Sequence, residues 1–345
     1  MTLRVGIYLP NFAYDHDDGI DHAERLRYWI TESEGAGVDS IWVTDHLLRA
    51  SNMYGRTWIE PIVSLSFAAS LTRRALLGPG VLLLPLREPV LLAKMVASLQ
   101  QLSNGRFIFG IGTGWYPGEF EAVGRRREDR GALTDEVLEV VRKLLAGGEV
   151  THEGRFYSFS DVRVEPSPMP LPVWVGGGSQ LAHPGSVEQP RLVKSVARRI
   201  ASADGWFVRP TAEAEQIVDD WERLQPYIAE AGRTPDDIEI GHGQLLHLTR
   251  EDRRERALDE QHRVAQEVLG THRSREQLER SYLFGTLDEV VANCARRIEA
   301  GVEHLILHPL TDDPEQLDLW VRELFPRLRA LPVTRRSQGS DAAPA

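Results

Sequence analysis

Short, nearly charge-free apolar runs alternate along this chain with longer stretches whose apolar positions follow a helical period. The runs fall at 4–11 (RVGIYLPN), 40–46 (SIWVTDH), 76–84 (LLGPGVLLL), 106–114 (RFIFGIGTG), 173–177 (VWVGG), 203–208 (ADGWFV), 238–249 (IEIGHGQLLHLT) and 304–310 (HLILHPL). Runs of this kind suit strands buried on both faces. Helical patterns fill 21–35, 61–71, 89–102, 130–145, 189–200, 211–231, 287–300 and 313–328. Asp21 stands at a capping position, Pro61 and Pro89 open their helices, and Ser103-Asn104-Gly105 is a turn sequence closing the third. Eight strands and eight helices in strict alternation predict an α/β fold, a (β/α)8 TIM barrel. A doubly wound sheet would need fewer repeats and a switch point.

Two connections exceed a minimal barrel. After strand 4, residues 115–172 contain a helix plus GRFYSFSDVRVEP, whose alternation reads as a small extra strand pair. After strand 7, residues 250–284 are helical and strongly charged, and read as a solvated excursion. The expected organisation is one barrel domain over 1–330 with these two insertions, and a polar tail, 331–345, expected to be disordered.

Composition removes several function classes. The chain has 345 residues, 42% of them hydrophobic, enough for a core without disulfide or metal staples. Its one cysteine, Cys294, excludes an internal disulfide, a cysteine zinc cluster and a CxxC pair, and reads as an inert buried thiol. The net charge of -11 argues against nucleic acid as a partner. The apolar stretch 75–86 falls short of the ~20 apolar residues of a membrane span. Arg4 comes too early for a signal peptide, so a cytoplasmic location is expected. Eleven histidines show no HExxH or other ligand spacing, so no metal site is expected. Lysine occurs only at Lys94, Lys143 and Lys194, all in helical patterns, which argues against a Schiff-base lysine on a strand.

In such barrels, chemistry sits at the C-terminal strand ends and the loops after them. Asn11, Asp45-His46, Gly112 to Trp115, Gly176 to Ser179, Trp206, His242, Gln244, His247 and His308 occupy or approach those ends. His46 is the best proton carrier among them, and the adjacent Asp45 is expected to orient it. Gly176-Gly177-Gly178-Ser179 directly follows a strand, where backbone amides and a hydroxyl can converge on a phosphate. The run from Gly110 to Gly114 lacks the third glycine of a dinucleotide fingerprint and reads instead as backbone that a flat ligand can approach. Tyr54, Trp58, Trp115, Tyr116 and Trp206 can wall a pocket for a planar ring and an apolar substrate.

The succession SIWVTDH, EPIVSLSFAASLTRRALLGPGVLLLPLREPVLLAKMVASLQQLSNGRFIFGIGTGWYPGEFEAVG, GRFYSF, PVWVGGG and DGWF resembles the bacterial luciferase-like oxidoreductases over residues 3 to 328 or so. The resemblance implies a TIM barrel that binds FMN or the deazaflavin F420 across its mouth. It implies that Gly80 and Val81 support the ring through a backbone bulge. It further implies that Gly176, Gly177, Gly178 and Ser179 hold the phosphate, and that the Asp45-His46 pair lies beside the ring. With F420 the reaction is hydride transfer to or from a small organic substrate, with His46 handling the proton. With reduced FMN and oxygen it is a two-component monooxygenation. A non-redox phosphate-binding barrel is the remoter alternative. Either redox reading calls for a separate reductase supplying reduced cofactor, and relatives often form homodimers. The particular run GVLLLPLREPVLLAK with GTGWYPGEF favours F420. Trp115 stands where sugar-phosphate dehydrogenases of the F420 branch carry a glutamate, which points to a less polar substrate.

Overall fold

The computed structural model describes residues 2–13, 21–49, 56–166, 169–180 and 190–333. Its parallel staves are β1 (Arg4–Tyr8), β2 (Ser40–Val43), β3 (Leu76–Pro79, resumed at Leu82–Leu83), β4 (Phe109–Gly112), β5 (Val173–Gly177), β6 (Gly205–Val208), β7 (Glu239–Leu246) and β8 (His304–Pro309). They lie side by side in sequence order, and β8 returns to pair with β1, Gly6 facing Ile306. A bridge between Leu77 and Phe107, with Leu82 and Leu83 paired to Ile111 and Gly112, joins β3 to β4. The expected TIM barrel is the fold.

Helices α1 (His22–Gly35), α2 (Pro61–Leu71), α3 (Pro89–Leu102), α4 (Arg130–Leu145), α5 (Lys194–Ala201), α6 (Ala214–Glu230) and α7 (Leu287–Glu299) form the outer layer. The carboxylates of Asp21, Glu60 and Glu88 accept the first amides of α1, α2 and α3, satisfying donors that helices leave open. The final helix runs Pro314–Leu319 and widens to a π-helical turn at Trp320–Leu324 ahead of Phe325–Arg329. The widening precedes Pro326, which has no amide hydrogen for the preceding turn.

Two expected elements differ. The third run is not one strand: Pro79 has no amide to offer the ladder, and the stave breaks at Gly80–Val81, a cis peptide, before resuming at Leu82. The fifth helix begins at Lys194, because an antiparallel bridge between Gln180 and Arg191 holds the preceding backbone extended.

Side chains alternate along each stave, so every second residue enters the barrel. The interior is filled by Tyr8, Trp42, Ile108, Trp174, Phe207 and Ile306. Glycines face the large rings. A Cβ on Gly205 or Gly241 would overlap Trp174, and one on Gly78 would come within 2.8 Å of Trp42. Below these rings, Ser40 Oγ lies 2.6 Å from His304 Nε2 and accepts from Trp42 Nε1 at 2.7 Å. His304 Nδ1 is 3.2 Å from Glu239 Oε1, and Glu239 pairs with Arg4 at 2.8 Å. Ser40 and His304 are completely buried.

The insertion after β4 carries the helical turn Pro117–Ala122 and the antiparallel pair Val150–Glu153 and Ser158–Val162. The excursion after β7 is more than a solvated arm: its helices, Arg254–Leu269 and Arg275–Ser281, enclose an apolar cluster of Leu258, Val264, Val268, Leu278 and Phe284. No helix among the described residues is long and apolar enough to cross a membrane.

Candidate active site

The mouth of the barrel is assembled by short-range ties at the stave ends. Asn11, buried beyond β1, donates to the carbonyls of Thr44 and Ile59 at 3.0 Å each and accepts from Thr44 N–H at 3.2 Å. Phe12 and Ala13 pair antiparallel with Thr57 and Trp58. Trp58 is thereby placed beside His46, with ring centroids 6.2 Å apart. Trp115 meets the same imidazole edge-on at 5.9 Å. His308, at the end of β8, stacks on Tyr8 at 4.3 Å and lies 6.2 Å from Trp58. Burial, reinforced by the nearby Arg56, pushes His308 down to about 3, so it is neutral near neutral pH.

His46 is held by a residue the sequence reading did not single out. Its Nδ1 lies 3.1 Å from Oε1 of Glu119, a completely buried carboxylate on the Pro117–Ala122 turn. The same oxygen accepts Leu47 N–H at 2.7 Å. An ionised carboxylate only accepts, so this contact places the proton on Nδ1 and leaves Nε2 as the basic nitrogen of the neutral ring. The other Glu119 oxygen is buried without a hydrogen-bond partner.

Asp45 does different work from the one expected of it. Its Oδ2 accepts Leu83 N–H at 2.8 Å and Arg87 Nη2 at 2.9 Å, and Arg87 continues to Glu60 at 2.7 Å. Burial raises the Asp45 carboxyl while Arg87 pulls against it. Orientation of His46 therefore falls to Glu119, and Asp45 anchors the resumed half of β3.

The break in β3 turns Val81 toward the mouth. A Cβ on Gly112 would overlap Val81, and one on Gly176 would fall 2.8 Å from it. Gly110 likewise clears Pro79 O. These glycines make room for the bulged stave itself, which corrects the expectation that they admit a flat ligand directly. Tyr8 Oη donates to Gly80 O at 2.7 Å, fixing the bulge from below. Past β5, Ser179 gives both its donors to Asp220 of α6: its N–H to Oδ2 at 2.7 Å and its hydroxyl to Oδ1.

The family model described as luciferase-like monooxygenase matches residues 3–304. The chain belongs to this family. It is an oxidoreductase of the luciferase-like class, whose members work with F420 or FMN. An F420-dependent glucose-6-phosphate dehydrogenase of Amycolatopsis mediterranei (strain U-32) is 25% identical over 95% of this chain and 99% of its own length. A 4-hydroxyprotoasukamycin monooxygenase of Streptomyces nodosus subsp. asukaensis is 30% identical, over 68% of this chain and 60% of its own. Among solved structures, an F420-dependent secondary alcohol dehydrogenase in complex with an F420-acetone adduct superposes with a TM-score of 0.78 at 16% identity, covering 95% of this chain and 99% of that one.

Within this luciferase-like barrel the expected site residues separate. His46, Trp58, Trp115 and the Gly80–Val81 bulge converge on the mouth. Tyr116 adjoins Trp115, with ring centroids 5.7 Å apart. Trp206 leaves the group: it points outward, donates to Gly177 O at 2.9 Å and stacks on Trp221 of α6 at 6.2 Å. The ring that enters the barrel is Phe207, one position on. His242 and Gln244 also face outward, 2.8 Å from each other, and burial holds His242 well below its ordinary value. Tyr54 lies outside the described residues, as does most of the loop after Gln180.

The rings at the mouth form a chain: Trp58 and Trp115 flank His46, and Trp58 also lies 6.2 Å from His308. Leu47 and Leu48 add exposed apolar surface at the rim.

Proposed function

We propose that this chain is an F420-dependent oxidoreductase that transfers a hydride to or from a small organic substrate of low polarity. The observation that carries the reading is His46, fixed by Glu119 just past the end of β2. The neighbouring stave breaks at the same level, where Val43 pairs with Pro79 and its carbonyl accepts Gly80 N–H at 2.9 Å, so a proton carrier and a ring support would share one rim. Support for F420 over FMN comes from the dehydrogenase of A. mediterranei, similar along essentially the whole chain, whereas the monooxygenase of S. nodosus is similar over part of it.

When bound, F420 supplies or accepts the hydride. Gly80 and Val81 would carry its ring, and the segment Gly176 to Ser179 would lie toward its phosphate. His46 Nε2 would give or take the proton that accompanies the hydride, while Glu119 keeps the Nδ1 proton in place. Trp58 and Trp115 would exclude water and hold the apolar part of the substrate. A separate reductase or a second substrate would restore the cofactor.

The second reading is a reduced-FMN monooxygenase with a partner reductase, favoured by the family's description and by relatives such as the 4-hydroxyprotoasukamycin monooxygenase. Titration of the purified protein with F420 and, separately, with FMN, followed by tryptophan quenching, discriminates the two. Tighter F420 binding supports hydride transfer; tighter FMN binding transfers the assignment to the monooxygenase; binding of neither removes the redox reading. Under the first outcome, His46→Ala should lower turnover by about 10²–10⁴-fold with cofactor affinity nearly unchanged.

A further inference from the structure

An anion already sits among the donors that the glycine loop would offer to a phosphate, and it belongs to the protein. Asp220 lies on the buried stripe of α6, in register with Ile217, Leu224 and Ile228. It is only 4% exposed. A carboxylate in that position is costly unless its charge is matched. Here the match is complete: Ser179 supplies an amide at 2.7 Å and its hydroxyl, and Arg223 approaches to 3.7 Å. Arg209, just past β6, adds a second positive charge in the neighbourhood while its guanidinium donates to Gln216 Oε1 at 3.2 Å. Arg223 also donates to Ser179 Oγ at 3.0 Å and to Pro190 O at 3.1 Å, clipping the two described ends of the loop together. Gly178 has no side chain where a Cβ would come within 3.0 Å of Asp220 Oδ2. One backbone amide, one hydroxyl and the Arg223 guanidinium form a donor set of the kind that receives phosphate.

We infer that Asp220 is a resident competitor for this anion seat, so that a phosphate ester gains Ser179 and Arg223 only by displacing the Asp220 carboxylate. Affinity for the phosphate group is then a difference between two anions sharing one donor set. The inference rests on the proposed function only for which ester arrives; the competition holds for any phosphate.

Equilibrium binding of inorganic phosphate to the full chain tests it, read by emission from the stacked Trp206–Trp221 pair next to the loop. Riboflavin and FMN serve as ligands without and with the phosphate. Asp220→Asn removes the charge and keeps the outline. It should tighten phosphate binding by about tenfold or more, equivalent to ~1.4 kcal/mol, and tighten FMN but not riboflavin. Ser179→Ala should scarcely change phosphate affinity in the native background, where its donors are engaged, yet cancel the gain in the Asp220→Asn background. Weaker or unchanged phosphate binding in Asp220→Asn overturns the inference, as does a large loss in Ser179→Ala alone. If neither F420 nor FMN binds the native chain while Asp220→Asn gains phosphate, the redox reading falls and the competition stands. If F420 binds and no gain appears, the reverse holds.

Discussion

Glu119 reaches His46 across 73 positions of sequence, from the first turn of a short proline-led helix. Its effect is orientational: one carboxylate oxygen decides which imidazole nitrogen carries the proton and also holds the Leu47 amide. Glu119→Gln keeps an acceptor for that amide and removes the charge. Turnover should fall roughly 10–100-fold with little change in cofactor affinity, and the ¹⁵N spectrum of the His46 ring should change from a single Nδ1-protonated form to a mixture. An unaltered ring spectrum would confine Glu119 to packing. The place of His46 just past a strand end was readable, but the carboxylate on its ring was not, since sequence adjacency favoured Asp45. That carboxylate turns instead to Leu83 and Arg87, because it has an unpaired backbone amide to satisfy on the broken stave. Trp206 misled for a related reason. Alternation sends neighbouring residues to opposite faces, so a one-position choice separates the barrel interior, where Phe207 lies, from the helix layer.

Among the elements, the barrel strands and most helices were legible because each combines an apolar run with punctuation at its ends. Pro61 and Pro89 open helices in the structure, with Glu60 and Glu88 completing the caps. The apolar pattern alone did not show the break in β3, since LLGPGVLLL is uniformly apolar and carries no periodicity to interrupt; the bulge at Gly80 and Val81 was implied only by the family resemblance. The function of the interior glycines was equally hidden. Gly205 and Gly241 are small because Trp174 is large, a relation between staves rather than within one. Gly241→Ala would force a methyl into the Trp174 ring. The expected loss is about 1–3 kcal/mol, measured by denaturant unfolding, and a Trp174→Leu change made alongside it should recover part of that loss. An unaffected midpoint would mean that the tryptophan can move aside.

For the whole molecule, acid stability follows from neutral histidines kept inside. His308 is held at about 3 in the folded chain against 6.5 for a free side chain. Between those values the unfolded state binds the extra proton, so this contribution is fully present above pH 6.5 and drains away as the pH falls toward 3. His308→Phe preserves a ring against Tyr8 and should lessen the acid sensitivity. The difference in unfolding free energy between neutral pH and pH 5 should shrink by roughly 1–2 kcal/mol, and an identical pH slope in both proteins would show that His308 is freely protonated. The opposite end of the barrel holds a quieter lesson. Ser40, His304 and Glu239 are linked in the order of a hydrolase's nucleophile, base and acid, with Ser40 Oγ and His304 Nε2 at 2.6 Å. Trp42 roofs the serine and Arg4 closes the far side. A geometric template for esterases would match this floor and be deceived by it. Reactivity needs a path for the reactant as much as an arrangement of donors, and the serine and histidine of this arrangement are sealed inside a wall.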